Sequence, residues 1–355
     1  MGEDKMKVLL VCPSNTLFMP YLENYTTIFS DNNISYDTLL WNRFGYEERA
    51  QYQFTDKKKG HRRNLFDYIK FGQYVKKILD NSNYDKIIIF GLQTLFFVQN
   101  KLMKNYRGEF IVDIRDYHPI AKCINFTNLN KSIITYVVSS EGYLKLLKGI
   151  DNATINHNSN IKKISDIEFM NPINNRRISI GCIGALRDAE INLKLIKYLL
   201  NNSNFQLNFN GEGVINNQLI KLVDSYNANN VNVSGTYEKN EEEGLYKKNT
   251  LINVLRFNDS NNNKVALPNR LYKSIQYGIP LLAFKGTYLA EIIEKYQIGL
   301  VIESFDKIDS KIIEYIDSLD SSFFHENQIN FFEKVISDNE SFKNILISNY
   351  KIKKT

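Results

Sequence analysis

The sequence predicts an α/β fold made of two domains, each with a parallel sheet. Short apolar runs alternate with longer amphipathic runs along most of the chain, which is typical of repeated βαβ units. The length of 355 residues corresponds to about two domains at roughly 150 residues each. A polar, Asn-rich stretch over residues 156–160 and 171–175 divides the pattern and is the best candidate for a linker.

The first half of the chain contains five predicted strands and four predicted helices. The strands are expected over residues 7–12, 36–41, 85–90, 110–114 and 135–139. The helices are expected over residues 20–29, 64–80, 94–104 and 141–147. Because strand and helix alternate, we expect the strands to form one parallel sheet within residues 1–165.

The second half repeats this organisation. Strands are predicted over residues 177–183, 205–209, 231–234, 251–255, 280–284 and 299–302, with helices over 191–201, 214–226, 268–277 and 288–296. We expect this second domain to span residues 166–330. The tail is mostly helical by its periodicity, and we expect residues 331–355 to form a helix that packs back on the first domain.

Several classes of function are disfavoured by the residues themselves. The three cysteines lie far apart, so a disulfide framework or a cysteine zinc site is not expected, and a reducing cytosol suits the chain. The four histidines have no metal-ligand spacing. Gly211-Glu212-Gly213 has Asn216 where a dinucleotide fingerprint needs a third glycine, and no P-loop is present. No apolar run is long enough to span a membrane.

The net charge of +6 is distributed unevenly between the two halves. Residues 1–165 contain 23 Lys and Arg against 16 Asp and Glu, whereas the remainder contains 22 against 23. All of the excess positive charge therefore lies in the first half. We expect an anionic partner there, and nucleic acid, a membrane surface and a phosphorylated substrate are all candidates at this point.

Three segments, in the expected order, resemble GT-B glycosyltransferases. They are residues 267–302, with Gly278-Ile279-Pro280 and Lys285-Gly286-Thr287; residues 180–187, with Gly184 and Arg187; and the Asp113-Ile114-Arg115-Asp116-Tyr117-His118-Pro119 run. The resemblance is greatest to the family-4-like enzymes of bacterial capsule and exopolysaccharide assembly. It implies two Rossmann-like domains that face a central cleft, with a nucleotide-sugar donor bound by the second.

For the donor, the resemblance implies seven binding residues: Gly184, Arg187, Asn269, Arg270, Lys273, Gly286 and Thr287. A guanidinium beside free backbone N–H groups suits the diphosphate, and so does a helix N-terminus that follows a glycine. Plainer interpretations remain open. Arg187 can be a surface arginine at a strand end, Asn269 a helix cap, and Arg270 a solvated side chain.

The chain also departs from the family pattern at the donor site. Lys273 stands where the family usually has a glutamate that holds the ribose hydroxyls, and Val265 stands where the first acid of the same motif is expected. The usual glycine-rich loop after the first strand is replaced by Cys12-Pro13-Ser14-Asn15-Thr16. Because an ammonium donates hydrogen bonds but accepts none, the ribose must be recognised in another way.

For the acceptor, the candidate catalytic residues are Asp116 and His118, which follow the predicted strand over residues 110–114. Either side chain can assist the attacking hydroxyl as a base. Asp116 can instead form a structural ion pair with Arg115, and His118 can merely stack on the sugar. Glu141 is a weaker candidate.

A basic segment forms a second candidate surface of the first domain. Its charges are Lys57, Lys58, Lys59, Arg62 and Arg63, and the aromatic residues Trp41, Phe44, Tyr46, Tyr52 and Phe54 precede it. A solvated loop, a nuclear signal or an RNA patch would also explain the charges, although no RNA-binding motif accompanies them. We expect a membrane-facing loop whose basic side chains meet anionic headgroups and the pyrophosphate of a lipid-linked acceptor, while these aromatic residues lie at the membrane interface.

These expectations combine into one function. The chain is expected to transfer a sugar from a nucleotide-sugar donor to a lipid-linked saccharide in surface polysaccharide synthesis. It should be cytoplasmic and peripheral at the inner face of the plasma membrane, with no cofactor, no essential metal and no nucleic-acid partner. Two alternatives stay open: a catalytically silent partner subunit of the same fold, and a nucleotide-sugar epimerase.

Overall fold

The computed structural model describes residues 6–170 and 177–350, and these divide into two units. Of the described residues, the first unit comprises 6–157 together with 338–350, and the second comprises 158–170 and 177–337. The chain therefore leaves the first unit after His157 and re-enters it at Asp338.

The first unit contains a sheet of seven parallel strands in the order β3-β2-β1-β4-β5-β6-β7. The strands are β1 (Lys7–Cys12), β2 (Ser35–Asn42), β3 (Tyr52–Thr55), β4 (Lys86–Phe90), β5 (Phe110–Ile114), β6 (Thr135–Val138) and β7 (Ala153–Ile155). Their central members are nearly continuous apolar runs, as expected for a parallel sheet that helices cover on both faces. The strand order reverses between β1 and β4.

Four helices of this unit connect the strands. They are α1 (Leu22–Asp31), α2 (Leu65–Asn81), α3 (Leu92–Asn105) and α4 (Phe126–Leu129). The start of α2 is specified by a capping box, in which the Asn64 side chain accepts from the Asp67 backbone and Asp67 accepts from the Asn64 backbone.

The second unit contains a sheet of six parallel strands in the order β10-β9-β8-β11-β12-β13. The strands are β8 (Ile178–Ile183), β9 (Phe205–Asn210), β10 (Val231–Val233), β11 (Leu251–Asn253), β12 (Leu281–Phe284) and β13 (Gly299–Ile302). The order again reverses next to the first strand of the unit, between β8 and β11. Both sheets therefore have the doubly wound arrangement of Rossmann-like domains.

In the described part of the second unit, eight further helices begin. They are α5 (Ala189–Leu199), α6 (Asn216–Ser225), α7 (Glu242–Lys247), α8 (Asn261–Val265), α9 (Asn269–Gln276), α10 (Tyr288–Tyr296), α11 (Ile308–Asp317) and α12 (Ser321–Tyr350). The last of them, α12, extends beyond Ser337, so its C-terminal part belongs to the first unit. There Phe342, Leu346 and Tyr350 are buried in the core formed by β1 and α1.

Three sequence expectations about elements are wrong. The strands β3 and β7 were not predicted, because each is short and its residues alternate between half-buried and exposed or polar positions at a sheet edge. The helix expected over residues 141–147 is instead a short 3-10 turn, Glu141–Lys145. The remaining predicted strands and helices are present, with ends that differ by a few residues.

Candidate functional site

The loops at the carboxyl end of β8 and β11 form the candidate donor site of the second unit. Parallel sheets bind ligands outside the carboxyl ends of their strands, at the point where the strand order reverses. Gly184 is the first residue after β8, and Asn253 ends β11. Gly184 has a φ of +96°, in the left-handed region that a glycine adopts without strain.

Backbone hydrogen bonds continue from β8 into the neighbouring loop. The N–H of Gly184 donates to the carbonyl of Asn210 (2.9 Å), and the N–H of Leu186 donates to the carbonyl of Glu212 (3.0 Å). A Cβ on Gly211 or Gly213 would overlap the carbonyl groups of Gly184 and Leu186, respectively. These two glycines, which fail as a dinucleotide fingerprint, are therefore needed for the close approach of two loops at the site.

Arg270 supplies a cation at the reversal point. It lies in the first turn of α9, and its half-buried guanidinium donates to the Cys182 Sγ (3.0 Å), the Asn253 carbonyl (3.0 Å) and the Ala185 carbonyl (3.3 Å). These partners come from β8, β11 and the loop after β8. Arg270 therefore bridges the two strands between which the order reverses, and the interpretation of it as a solvated side chain is wrong.

The positive charge of Arg270 is not neutralised by its partners. Both carbonyls are neutral, and burial raises the pKa of the Cys182 thiol, so the thiol stays protonated at neutral pH. No carboxylate of the described residues forms an ion pair with Arg270, and Asp188 acts on it only at longer range. A desolvated guanidinium in this condition is suited to an anionic ligand.

Arg187 lies on the loop that follows β8, and its side chain is exposed. Its backbone carbonyl accepts a hydrogen bond from the buried Asn192 side chain (2.8 Å), which also donates to the Asp188 carbonyl (3.0 Å). Asn253 in turn donates to the Asn192 Oδ1 (2.9 Å). The backbone that carries Arg187 is thus tied to β11, while its side chain extends into solvent.

Lys273 lies one turn after Arg270 on α9 and faces a carboxylate from another segment. Its ammonium is 4.0 Å from the Glu242 Oε2, and the Tyr237 hydroxyl lies 3.5 Å from the Glu242 Oε1. That hydroxyl would also be 3.9 Å from a Cβ built on Gly184. Sequence reasoning missed Glu242 and Tyr237, because no motif marks residues 235–247. Only the fold brings them to the loop after β8.

The remaining predicted donor residues either make contacts within the second unit or are exposed to solvent. Thr287 caps α10, since its Oγ1 accepts from the Ala290 N–H (3.2 Å). Gly286 has a φ of +89° and would collide with Asn258 if it carried a Cβ. Asn269 is exposed and is not a cap, because Pro268 occupies the N-cap position of α9. Binding by these three residues stays a prediction.

Val265 is buried in a core cluster of the second unit, at the end of α8. An acid at this position would be desolvated among apolar side chains. The missing carboxylate of the family motif is therefore replaced here by core packing.

In the first unit, the segment after β5 is anchored by a buried ion pair. The Arg115 guanidinium donates to both oxygens of Asp113 (2.6 and 2.8 Å) and to the Asn156 Oδ1 (2.6 Å), while the Tyr25 hydroxyl donates to Asp113 (2.7 Å). The Tyr143 hydroxyl donates to the Arg115 carbonyl (2.5 Å). Asp113 and Arg115 therefore hold this strand end in place.

Asp116 and His118 follow directly, and their environments differ. Asp116 is exposed, whereas His118 is half-buried and its Nδ1 accepts from the Ile120 N–H (3.2 Å). Burial lowers the pKa of His118, so the ring is neutral near pH 7. Because Nδ1 is the acceptor, the proton of the neutral ring is on Nε2. In this tautomer His118 can donate a hydrogen bond from Nε2, and its catalytic role stays a prediction.

Not all five basic side chains of this segment are exposed to solvent and free of an ion pair with a carboxylate. Lys57, Lys59 and Arg62 are exposed, and the exposed Lys58 pairs with Asp67 (2.7 Å). The Arg63 side chain is only 1% exposed and pairs with Asp56 (2.8 Å). The prediction that Arg63 contacts a membrane or an acceptor is therefore wrong, because its charge is neutralised inside the fold.

The aromatic residues near this segment are likewise partly exposed and partly buried. Phe44 and Tyr46 stack (5.5 Å between centroids), Phe18 lies tilted against Phe44 (4.3 Å), and His61 lies edge-on to both Phe18 and Phe44 (4.6 and 4.8 Å). Farther along, Leu65 and Phe66 are exposed in the first turn of α2, Phe66 by 72%. Trp41 is fully buried, and Tyr52 and Phe54 belong to β3, so the expectation that Trp41 reaches a membrane interface is wrong.

Two structural features concern metal binding and membrane crossing. Among the described residues, no group of three or more His, Cys, Asp or Glu side chains is placed to hold a metal ion. None of the helices in residues 6–170 and 177–350 combines the length and the apolar character that a membrane crossing requires.

No protein-family model matches the chain, and no curated protein matches it. Solved structures do match over nearly the whole length. The lipopolysaccharide outer core galactosyltransferase WaaB shares 12% identity, with coverage of 97% of this chain and 99% of that one and a TM-score of 0.68. Anabaena HepE, solved with UDP and glucose, shares 14% identity, with coverage of 97% and 100% and a TM-score of 0.66.

A third matching structure is assigned a different type of activity. It is a protein from Listeria monocytogenes assigned as a UDP-N-acetylglucosamine 2-epimerase, with 10% identity, coverage of 98% and 97%, and a TM-score of 0.63. At these identities the likeness concerns the fold. Together with the two doubly wound parallel sheets, it shows that the chain has the GT-B fold.

Proposed function

We propose that this chain is a glycosyltransferase that uses a nucleotide-sugar donor. The observation that carries the proposal is the Arg270 guanidinium, which bridges β8 and β11 at the reversal point without a carboxylate partner among the described residues. A diphosphate is the ligand class that such a cation beside a glycine turn suits. The UDP and glucose bound by HepE, a protein of the same fold, support this choice of donor.

In the proposed reaction, the bond between the sugar C1 and the diphosphate oxygen breaks, and the acceptor hydroxyl oxygen bonds to C1. The leaving diphosphate gains negative charge, which Arg270 and the exposed Arg187 would stabilise. Asp116 would accept the proton of the acceptor hydroxyl, and His118 would donate a hydrogen bond from Nε2 to the sugar. These roles follow from the exposed carboxylate of Asp116 and the tautomer of His118.

A metal ion is not needed for this chemistry. The charge that a divalent cation would neutralise at the diphosphate is matched by arginine side chains, so we propose a metal-independent reaction with no cofactor. Sugar transfer should persist in the presence of EDTA. Loss of transfer on chelation, with recovery on addition of Mg²⁺, would contradict this part of the proposal.

For the acceptor, we propose a lipid-linked saccharide at an anionic membrane surface. Lys57, Lys59 and Arg62 are exposed, and the Lys59 side chain lies against Gly45, between Phe44 and Tyr46 in the sequence. Tyr46 and Phe66 are exposed as well. Basic side chains attract anionic headgroups, while exposed aromatic and apolar side chains suit the interface. The role of WaaB in the lipopolysaccharide outer core supports a lipid-borne acceptor and a place in bacterial surface polysaccharide synthesis, at the inner face of the plasma membrane.

The donor proposal is tested by isothermal titration calorimetry with UDP-, GDP- and dTDP-sugars. We expect the protein to bind sugars of one base with micromolar affinity and to release the matching nucleoside diphosphate when an acceptor saccharide is added. Absence of binding to every member of the panel would overturn the proposal and would favour a silent partner subunit, for which Lys273 and the buried Val265 are the supporting observations.

The same panel separates transfer from epimerisation. The fold of the Listeria protein is the observation that favours an epimerase. An epimerase would convert the sugar of the bound nucleotide-sugar without an acceptor, which NMR of the sugar protons detects. We expect no such conversion, and its occurrence would replace the transferase proposal.

Membrane association is tested by co-sedimentation with vesicles of phosphatidylglycerol and phosphatidylcholine. Reversal of three charges, by Lys57→Glu, Lys59→Glu and Arg62→Glu, should weaken binding by about 100-fold or more, since each basic residue near the surface contributes about 1 kcal/mol. The matched control reverses three exposed lysines of the second unit, Lys221, Lys248 and Lys264, and should have little effect. Equal binding by both triple variants would contradict the proposed surface.

A further inference from the structure

The contact between Glu242 and Lys273 indicates how the chain could recognise the ribose of its donor. This inference rests on the proposed function, because it concerns the same site. A nucleotide has two ribose hydroxyls that donate hydrogen bonds, and in Rossmann-like sites a carboxylate commonly accepts them. Position 273 on α9 carries an ammonium, which has only donors to offer.

Glu242 supplies the missing acceptor from a different element. It is the first residue of α7, and its Oε2 lies 4.0 Å from the Lys273 ammonium. The side chains of Glu242 and Lys273 are 27% and 35% exposed, so both remain accessible to a ligand. Because a carboxylate has about four acceptor sites, this pairing leaves capacity for two hydroxyl donors.

Tyr237 connects this carboxylate with the reversal point. Its hydroxyl lies 3.5 Å from the Glu242 Oε1 and packs near Gly184. Burial raises the pKa of Tyr237 to about 12, so the phenol is protonated and acts as a donor at neutral pH. The Tyr237 hydroxyl and the Lys273 ammonium thus approach different oxygens of the carboxylate, near the loop that follows β8.

The two cationic side chains of α9, Arg270 and Lys273, have different environments. Arg270 and Lys273 are three positions apart and so lie on one face of the helix. Arg270 has only neutral acceptors, whereas Lys273 faces Glu242. A nucleoside diphosphate carries its negative charge on the phosphates and its neutral diol on the ribose. The two environments match these two parts of the same ligand.

We propose that Glu242 accepts hydrogen bonds from the ribose diol of the donor nucleotide, and that Lys273 is a positioning residue that orients its carboxylate. The proposal predicts that the protein distinguishes ribonucleotides from 2′-deoxyribonucleotides, and that this distinction depends on Glu242.

Calorimetry with UDP, GDP and ADP and with their 2′-deoxy counterparts tests the proposal. For the base that binds, we expect the wild-type protein to favour the ribonucleotide by about 10-fold or more, the effect of one hydrogen bond to a charged group. Glu242→Gln should reduce this preference to about threefold or less. The matched control is Glu243→Gln, which removes an exposed carboxylate that pairs with Lys247 on the outside of α7 and should leave the preference unchanged.

Lys273→Ala should also reduce the preference for the ribonucleotide, and Lys273→Arg should restore most of it. A loss of packing alone would lower the affinity for both nucleotides equally, so the ratio separates the two roles. Unchanged folding of each variant is checked by its thermal unfolding.

Each outcome bears on a different claim. If a nucleotide binds and Glu242→Gln retains the full wild-type preference, the ribose role of Glu242 is overturned while the proposed donor class stands. If the wild-type protein binds both forms equally, the diol is not recognised and the inference also fails. If no nucleoside diphosphate binds the wild-type protein, the proposed function itself fails and this inference fails with it.

Discussion

Arg270 and Arg187 both carry a cation at the carboxyl edge of the second sheet, but burial makes them unequal. Arg270 is half-buried and held by three acceptors, whereas Arg187 is exposed at the start of the segment leading to α5. A desolvated, oriented guanidinium interacts more strongly with an anion than a solvated one. We therefore assign the main contribution to diphosphate binding to Arg270.

Substitution of Arg270 and of Arg187 should show which arginine contributes more to nucleoside diphosphate binding. Arg270→Gln should weaken nucleoside diphosphate binding by about 10- to 100-fold, and Arg187→Ala by about 10-fold or less, both measured by calorimetry. Arg270→Lys keeps the charge and should fall between wild type and Arg270→Gln. Lys194→Gln removes an exposed cation of α5 that pairs with Glu190, and should have no effect. A larger loss for Arg187→Ala than for Arg270→Gln would contradict the ranking.

His118 should make the stability of the first unit depend on pH. Burial lowers its pKa in the folded state, so the unfolded chain takes up a proton more readily. Its contribution to stability is therefore complete above the unfolded pKa of about 6.5 and is lost progressively as the pH falls from this value through the lower folded pKa. Urea unfolding near pH 7.5 and near pH 5.5 should show a larger decrease for wild type than for His118→Gln. Equal decreases would contradict the assigned environment.

At the residue scale, sequence reasoning predicted a donor-binding role for Gly184, Arg187, Arg270 and Lys273 from a resemblance in local pattern, and that role stays a prediction. It could not identify Glu242. That glutamate reaches the site because α7 packs near α9 in the fold, and no spacing along the chain encodes such a contact. The same limit applies to Arg63, whose ion pair with Asp56 forms only when the segment folds over β2 and β3.

The end of β5 is the element whose stability depends most on polar contacts. Asp113 is fully buried, with Arg115, Tyr25 and Asn156 around it. Removal of one partner of a buried ion pair leaves the other charge desolvated, which costs about 3–5 kcal/mol.

Asp113→Asn should therefore lower the free energy of unfolding of the first unit by about 3–5 kcal/mol, measured by chemical denaturation. Asp116→Asn, which changes an exposed carboxylate of the same segment, should cost less than about 1 kcal/mol. A similar cost for both substitutions would show that the ion pair does not anchor the strand end.

The helix α12 contributes to the first unit through its C-terminal part. Phe342 is 1% exposed and packs edge-on against Tyr25, with 5.0 Å between centroids, whereas Phe323 near the start of the helix is 49% exposed. Phe342→Ala should cost about 3–5 kcal/mol of unfolding free energy, and the control Phe323→Ala less than about 1 kcal/mol. Equal unfolding midpoints for the two variants would contradict the packing.

At the element scale, the central strands were predictable because burial on both faces makes them apolar runs. The edge strands β3 and β7 were not, because half-buried alternation over three or four residues is no stronger than that of a loop. The 3-10 turn at Glu141–Lys145 has a helical pattern too short to specify its type.

At the scale of the whole molecule, the uneven charge now has a structural description. The excess positive charge belongs to the first half of the chain, where Lys57, Lys59 and Arg62 are exposed. The nearly neutral second half holds the candidate donor site, where we propose that Arg270 contacts the phosphates. The two halves thus suit two different anions.

The division into two units was predictable from the repeated strand-helix pattern, but its boundaries were not. The second unit begins at Asn158 and ends at Ser337, in the middle of α12. Helical periodicity does not change where a helix passes from one unit to the other. The pattern therefore could not indicate that the first unit resumes at Asp338.

The most direct test of the account is a crystal structure with the nucleoside diphosphate that calorimetry identifies. We predict phosphate oxygens within hydrogen-bond distance of the Arg270 guanidinium and beside the Gly184 turn, with the ribose hydroxyls on Glu242. A nucleotide bound elsewhere on the second unit, with Arg270 still held only by Cys182, Asn253 and Ala185, would contradict the account.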